Sequence, residues 1–227
     1  MYDWAEFIVA IALFIASHPL PQVTGLKPWL TARIGRRGYL ILYSIVSLAL
    51  FSWVIVAVGR APYVGLWDQA PWQRVLINIA MPIAIALGTF GIAAPNPFAF
   101  EGRRTGFDPA RPGIAGVTRQ PFLWAMVLWS GAHMIVNGDL AHLLVFGPLL
   151  LFAAGGVVIA DRVARRRLGI GWEAAAAHTG LVPFAALATG RWRPRSLPSL
   201  PRLALAIVLW WAIWNAHAPV IGRWPGI

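Results

Sequence analysis

FLWAMVLWSGAHMIVNGDLAHLLVFGPLLLFAAGGVVIA, residues 122 to 160, holds two apolar runs, Phe122 to Val136 and Leu140 to Ala160, parted only by Asn137, Gly138 and Asp139. A helix crossing the roughly 30 Å hydrocarbon core of a bilayer needs about 20 mostly apolar residues. The two runs therefore read as consecutive membrane spans. Asn, Gly and Asp suit the short reversal between them, since each tolerates tight-turn conformations. Runs of the same kind occur at Trp4 to Ser17, Tyr39 to Val58, Val75 to Ala94 and Leu203 to Ile221. The predicted fold is an all-α integral membrane protein, one transmembrane domain over residues 1–227. It is a bundle of about six transmembrane helices, with a long cytoplasmic loop containing an interfacial or re-entrant segment.

Composition agrees. Of 227 residues, 59% are hydrophobic and only 12% charged, well above the apolar share of a soluble domain, which is nearer half. There is no cysteine, which excludes disulfides, iron–sulfur clusters and thiolate ligands. The N-terminal run carries Asp3 and Glu6 where a signal peptide carries Lys or Arg, so it reads as a retained first span. Met81 and Pro82 predict a kink in the third span, because proline lacks the backbone donor and crowds the preceding turn.

Of the 19 cations, all but Arg60, Arg74 and Arg223 fall in alternate connections: after the first span, after the third, and before the last. Basic loops stay cytoplasmic. The expected location is a bacterial inner membrane, multi-pass, with both termini periplasmic. The net charge of +11 is accounted for by attraction of such clusters to anionic headgroups. No basic module with interleaved stacking aromatics suggests a nucleic acid partner. The bilayer is the partner that composition implies. Gly155 and Gly156 add a small-residue surface on which another membrane subunit of a complex can pack closely.

Two connections are too long for plain turns. Residues 95–121 are rich in Pro and Gly, and long ordered loops are often functional. Within residues 161–194 the apolar piece Gly180 to Thr189 is too short to span, which predicts an interfacial or re-entrant course.

Polar groups in apolar spans mark sites. Met126, Ser130, His133 and Asn137 recur at intervals of four, three and four, so they share one helical face. Trp210, Trp214, His217 and Ile221 repeat that spacing on the last span. His18 precedes Pro19 at the end of the first, His142 opens the fifth, and His178 sits in the last inner loop. Imidazole ligates zinc, copper and haem iron. Zinc usually takes three or four ligands, and no HExxH or close His/Asp cluster is present. Haem needs one or two axial histidines in an apolar, aromatic pocket, and suits this chain best. His133 lies ~20 Å along its helix from Arg119, His18 ~13 Å from Lys27 and His217 ~22 Å from Arg202. These depths leave both His18 and His217 open as partners of His133.

Four stretches, SHPL at 17–20, GVTRQPFLWAMVLWSGAHMIVNGDLAHLLVFG at 116–147, DRVARRRLGIGWEAAAAHTGLVPFAALATGR at 161–191 and AHAP at 216–219, resemble the NnrU family of bacterial membrane proteins and its plastid relative, the zeta-carotene isomerase. The resemblance implies a helical bundle and, for the isomerase, a haem b held by two histidines that drives cis–trans isomerisation of a polyene. Carried over by position, the metal ligands are His18 and His133, with His217 as the alternative axial ligand from the depth argument. Ser130 and Asn137 are then candidates to hydrogen-bond the cofactor site, Arg119 to pair with a haem propionate and Trp214 to wall the pocket. The isomerase has a cysteine where Ser130 stands, and TRHP where this chain reads Thr118, Arg119, Gln120, Pro121. The NnrU branch is associated with denitrification, through nitrite and nitric oxide reductases. The order of TRQP, a hairpin, an acid, LG, an aromatic and VPF is also similar to membrane isoprenylcysteine and phospholipid methyltransferases. That similarity implies S-adenosylmethionine near Arg119 and Pro121, with Glu173 and the loop around Gly169 closing it.

Overall fold

The computed structural model describes residues 4–226; Asp3, one of the two acids noted at the N-terminus, lies outside them. Among the described residues there is no strand, only the isolated bridges Gly65–Asp139 and Pro95–Arg103. Ten α-helices follow in order: α1 (Ala5–Ser17), α2 (Leu20–Val23), α3 (Leu26–Arg60), α4 (Pro71–Gly91), α5 (Ile114–Val117), α6 (Pro121–Asn137), α7 (Leu140–Leu168), α8 (Trp172–Ala176), α9 (Ala185–Ala188) and α10 (Leu200–Ile221). Among the described residues four segments are long and apolar enough to cross a membrane: α3, α4, the stretch Leu140–Ala176 built on α7, and α10. The other two expected spans are shorter helices, α1 with 13 residues and α6 with 17. This is an all-α membrane protein.

The chain forms two compact units, one of residues 1–66 with 139–145, the other of residues 67–138 with 146–227. In the first, α1 packs on α3. Phe7 and Ala10 are buried on α1, Val54 and Ala57 on α3. Glu6 accepts hydrogen bonds from the Trp53 indole and Arg60, both at 3.2 Å. The interior of α3 is broken at Gly35, whose φ of 74° and ψ of 166° lie outside the helical region. A side chain is strained there, and glycine is not. Residues 26–34 and 36–60 are thus two helical pieces meeting at that residue.

In the second unit α4 packs against α6 and α10. Pro71 and Pro121 begin their helices, where a missing N–H costs nothing and the fixed φ is already helical. Pro82 lies inside α4, which runs from Pro71 to Gly91. Arg202 of α10 donates to the carbonyls of Thr89, Phe90 and Ile92 at 2.7 to 2.9 Å, placing a cation on the negative end of α4. Buried positions such as Ala80, Ala84, Ala125, Ala132 and Ala153 are small. Lipid is as apolar as leucine, so close van der Waals approach, rather than removal from water, holds such helices together. Gly156 is one such approach, for a Cβ there would stand 3.3 Å from Leu123 of α6. Large side chains such as Leu151, Phe152 and Ile207 lie on the outside.

The C-terminus of α6 is closed by protein. Gly138 takes the left-handed conformation (φ 69°), and its carbonyl accepts the Trp67 amide at 3.2 Å. The Trp67 indole donates to Ile135 O at 2.9 Å, and the Gln69 side chain to Val136 O at 2.9 Å and Asn137 O at 3.4 Å. Only Gly138 and Asp139 separate α6 from α7, as the apolar runs predict.

Candidate functional site

Pro19 ends α1 because it has no N–H to continue the ladder. Two residues break the helical path within a few positions, Pro19 and then Gly25 in the left-handed conformation (φ 74°), before α3 begins at Leu26. That path sets the His18 ring against α3, edge-on to Phe14 at 4.9 Å and to Tyr43 at 6.0 Å between centroids. A groove of about 420 Å³ opens beside it, entirely within the first unit. His18, Gln22, Lys27, Thr31 and Arg36 line it together with Tyr39, Leu40 and Tyr43. The two tyrosines, four apart on one helix, stack at 5.9 Å.

The His18 Nδ1 lies 2.8 Å from Phe14 O. A carbonyl only accepts, so Nδ1 carries the proton and Nε2 the lone pair. A carbonyl fixes the tautomer in this way behind a metal-ligating imidazole, and equally wherever a helical imidazole meets the carbonyl one turn back. Among the described residues no group of three or more His, Asp or Glu converges.

His133, in the second unit, is placed differently. Its ring stacks on Phe146 at 5.0 Å (29° between planes) and lies 5.4 Å from Trp129, so it is half-buried in an aromatic cluster. The stripe that singled it out has a local cause. Ser130 donates to Met126 O at 2.6 Å, His133 Nδ1 to Trp129 O at 2.8 Å, and Asn137 to His133 O at 2.7 Å. Each polar group bonds the carbonyl one turn earlier, the means by which such side chains are satisfied in an apolar helix. Ser130 is fully buried. Trp214 and His217 lie together on α10: Trp214 sits 5.6 Å from Trp210 and 6.2 Å from Trp224, and His217 Nδ1 donates to Arg223 O at 2.7 Å. His142 pairs with Asp139, 2.6 Å between Nδ1 and Oδ2, at the start of α7. His178 Nδ1 donates to Arg191 O at 2.5 Å.

Arg119 is the hub of a buried polar network in the second unit. Its Nε and one terminal nitrogen grip both oxygens of Asp161 at 2.6 and 3.0 Å, and the other donates to Thr179 Oγ1 at 3.1 Å. The guanidinium lies 5.1 Å from the Trp172 ring and 5.8 Å from Phe98. Around it, Asn96 donates to Arg119 O at 3.0 Å, Gln120 to Phe98 O at 3.1 Å and Thr118 to Leu181 O at 2.8 Å. The piece after residue 178 runs beneath this turn, with Arg119 N bonded to Gly180 O at 2.7 Å and Phe184 N to Val117 O at 2.9 Å. Gly116 admits the Trp192 ring, which a Cβ would meet at 2.4 Å. Glu101 accepts the Phe122 amide at 3.1 Å at the start of α6. Burial raises its carboxyl above the usual carboxylate range despite that bond. Its second oxygen is buried, as is Gln120 Oε1, and neither accepts a hydrogen bond from protein.

Sequence periodicity reached the half-buried His133. It passed over Lys27, Arg36, Tyr39 and Tyr43, which only the breaks at Gly25 and Gly35 bring beside His18.

The family model described as NnrU protein matches residues 6–225. Among curated relatives, a UPF0060 membrane protein of Acidovorax sp. (strain JS42) is 29% identical over 105 residues, covering 40% of this chain and 95% of the relative. Another, of Ralstonia pickettii (strain 12J), is 31% identical over 107 residues, covering 40% and 97%. No solved structure matches the chain.

Proposed function

The chain belongs to the NnrU family, and from that premise we propose that it is a membrane haem protein, with haem b ligated through His18. The observation that carries this reading is the His18 ring at the edge of an open groove, its Nδ1 proton fixed on Phe14 O so that Nε2 is the ligating nitrogen. His133 and His217, the other ligands expected from the sequence, stand in the second unit. When bound, the iron supplies redox or Lewis-acid chemistry. The chain's own residues orient the imidazole, wall the groove with Tyr39 and Tyr43 and present cations at its rim. The activities that go with this reading are polyene cis–trans isomerisation or a redox role alongside denitrification. A bacterial inner membrane with the basic loops cytoplasmic completes it. The methyltransferase reading draws less support, because all three nitrogens of the Arg119 guanidinium are engaged by Asp161 and Thr179.

The test is the absorbance of detergent-purified protein reconstituted with haem, before and after dithionite. A Soret band with a low-spin, imidazole-ligated spectrum is expected, lost or turned high-spin in His18→Ala. His133→Ala turning the spectrum five-coordinate assigns the second ligand, and His217→Ala is the comparison. Wild-type protein that takes up no haem would refute the proposal.

A further inference from the structure

Two cations line the groove beside His18. Lys27 and Arg36 both line it, and neither takes part in any ion pair among the described residues. Among the described residues Arg60, Arg111, Arg119 and Arg165 have acidic partners, and Lys27 and Arg36 are with the other basic side chains that have none. Lys27 is the second residue of the first piece of α3 and Arg36 the first of the second, so the break at Gly35 falls between the two charges. Tyr39 and Tyr43 give the same groove an aromatic wall, and its volume of about 420 Å³ falls in the range of small-molecule sites. The sequence places both residues in a connection where basic residues gather, at the membrane boundary. The lining offers a ligand two aromatic rings, from Tyr39 and Tyr43, and two cations that suit an anionic edge.

We infer that Lys27 and Arg36 form the seat for the paired carboxylates of a porphyrin whose macrocycle lies against the tyrosines, with the negative edge at the cytoplasmic boundary. The inference rests on the haem reading for its ligand class, while the seat itself needs no iron. It assigns to two residues a discrimination that ligation cannot supply, between a dicarboxylic porphyrin and its neutral ester.

The experiment uses the full chain in neutral detergent and three probes: iron protoporphyrin IX, free-base protoporphyrin IX and the free-base dimethyl ester. Quenching of tryptophan fluorescence reads binding. The free-base diacid is expected to bind wild-type protein at least about tenfold more tightly than the diester. Lys27→Gln and Arg36→Gln each reduce the preference, and the double variant abolishes it. Arg37→Gln, which removes a neighbouring cation that does not line the groove, retains it. Equal binding of diacid and diester would overturn the inference, and so would an Arg37→Gln loss as large as that of Arg36→Gln. Displacement of the diacid by equimolar inorganic phosphate or phosphatidylglycerol would reassign the cations to phosphate and overturn it as well. A diacid preference that depends on Lys27 and Arg36, without imidazole ligation of the iron probe, leaves the seat standing and removes the haem reading. No binding of any porphyrin removes both.

Discussion

Replacing Asp161 by alanine strips the Arg119 guanidinium of two short charge-assisted bonds, at 2.6 and 3.0 Å. The side chains are only 11% and 16% exposed, so water does little to compensate. Breaking a buried pair by removing one partner typically costs about 3–5 kcal/mol. Here part of the orphaned charge is relieved. Thr179 Oγ1 still accepts one donor, and the Trp172 and Phe98 rings lie at cation–π distance, worth about 0.5–2 kcal/mol. The net expectation is about 2–4 kcal/mol for Asp161→Ala, a large fraction of a typical folding free energy. Arg119→Met leaves the carboxylate with no such relief, and costs about 3–5 kcal/mol. The double variant Arg119→Met, Asp161→Leu puts apolar volume where the pair stood and recovers most of the loss. Reversible unfolding by SDS from mixed micelles, followed by tryptophan fluorescence, measures all three variants. Additive single losses, or Asp161→Ala below about 1 kcal/mol, would show that the pair is solvated and the network decorative.

Gly35→Ala forces an alanine to φ 74°, with a strain of about 1–3 kcal/mol, and weakens porphyrin binding because the break precedes Arg36; Gly155→Ala, at an open helical position, stabilises by up to about 1 kcal/mol and leaves binding unchanged. Glu101 has a raised folded pKa, so the folded state holds its proton more tightly and stability falls as pH rises from the ordinary glutamate value through the folded one. Glu101→Gln flattens that slope, and an unchanged pH profile in the unfolding assay would contradict the burial account. For topology, a periplasm-active reporter such as alkaline phosphatase, fused after residue 227, is expected to be active; activity only for fusions in the residue 95–121 loop would invert the orientation.

Much of the fold was legible because hydrocarbon imposes a long apolar run on each crossing. The starts of α7 and α10 lie at or within three residues of the runs that begin at Leu140 and Leu203, whereas α7 continues past Ala160 to Leu168. α3 begins well before Tyr39, because Leu26, Trp29 and Leu30 alternate with Lys27, Arg33 and Arg36 and carry no continuous apolar signal, although their helix propensity is adequate. The Gly35 break was invisible, since a glycine inside a helical pattern looks like any other. Ser130, His133 and Asn137 do share one face, but each bonds a carbonyl one turn back, which periodicity cannot distinguish from convergence on a ligand. The hub around Arg119 needed partners 42 and 60 residues away, and no local pattern names Asp161 or Thr179 as those partners.

The lid that Trp67 and Gln69 place on α6 changes what length means for that helix. Seventeen residues rise about 25 Å, less than the thickness of hydrocarbon they would have to cross. A bare end at that depth would hold four carbonyls in oil with no water to meet them. With an indole, an amide side chain and a peptide N–H already supplied, the helix can stop beneath the headgroups, and the bilayer need not thin to reach it.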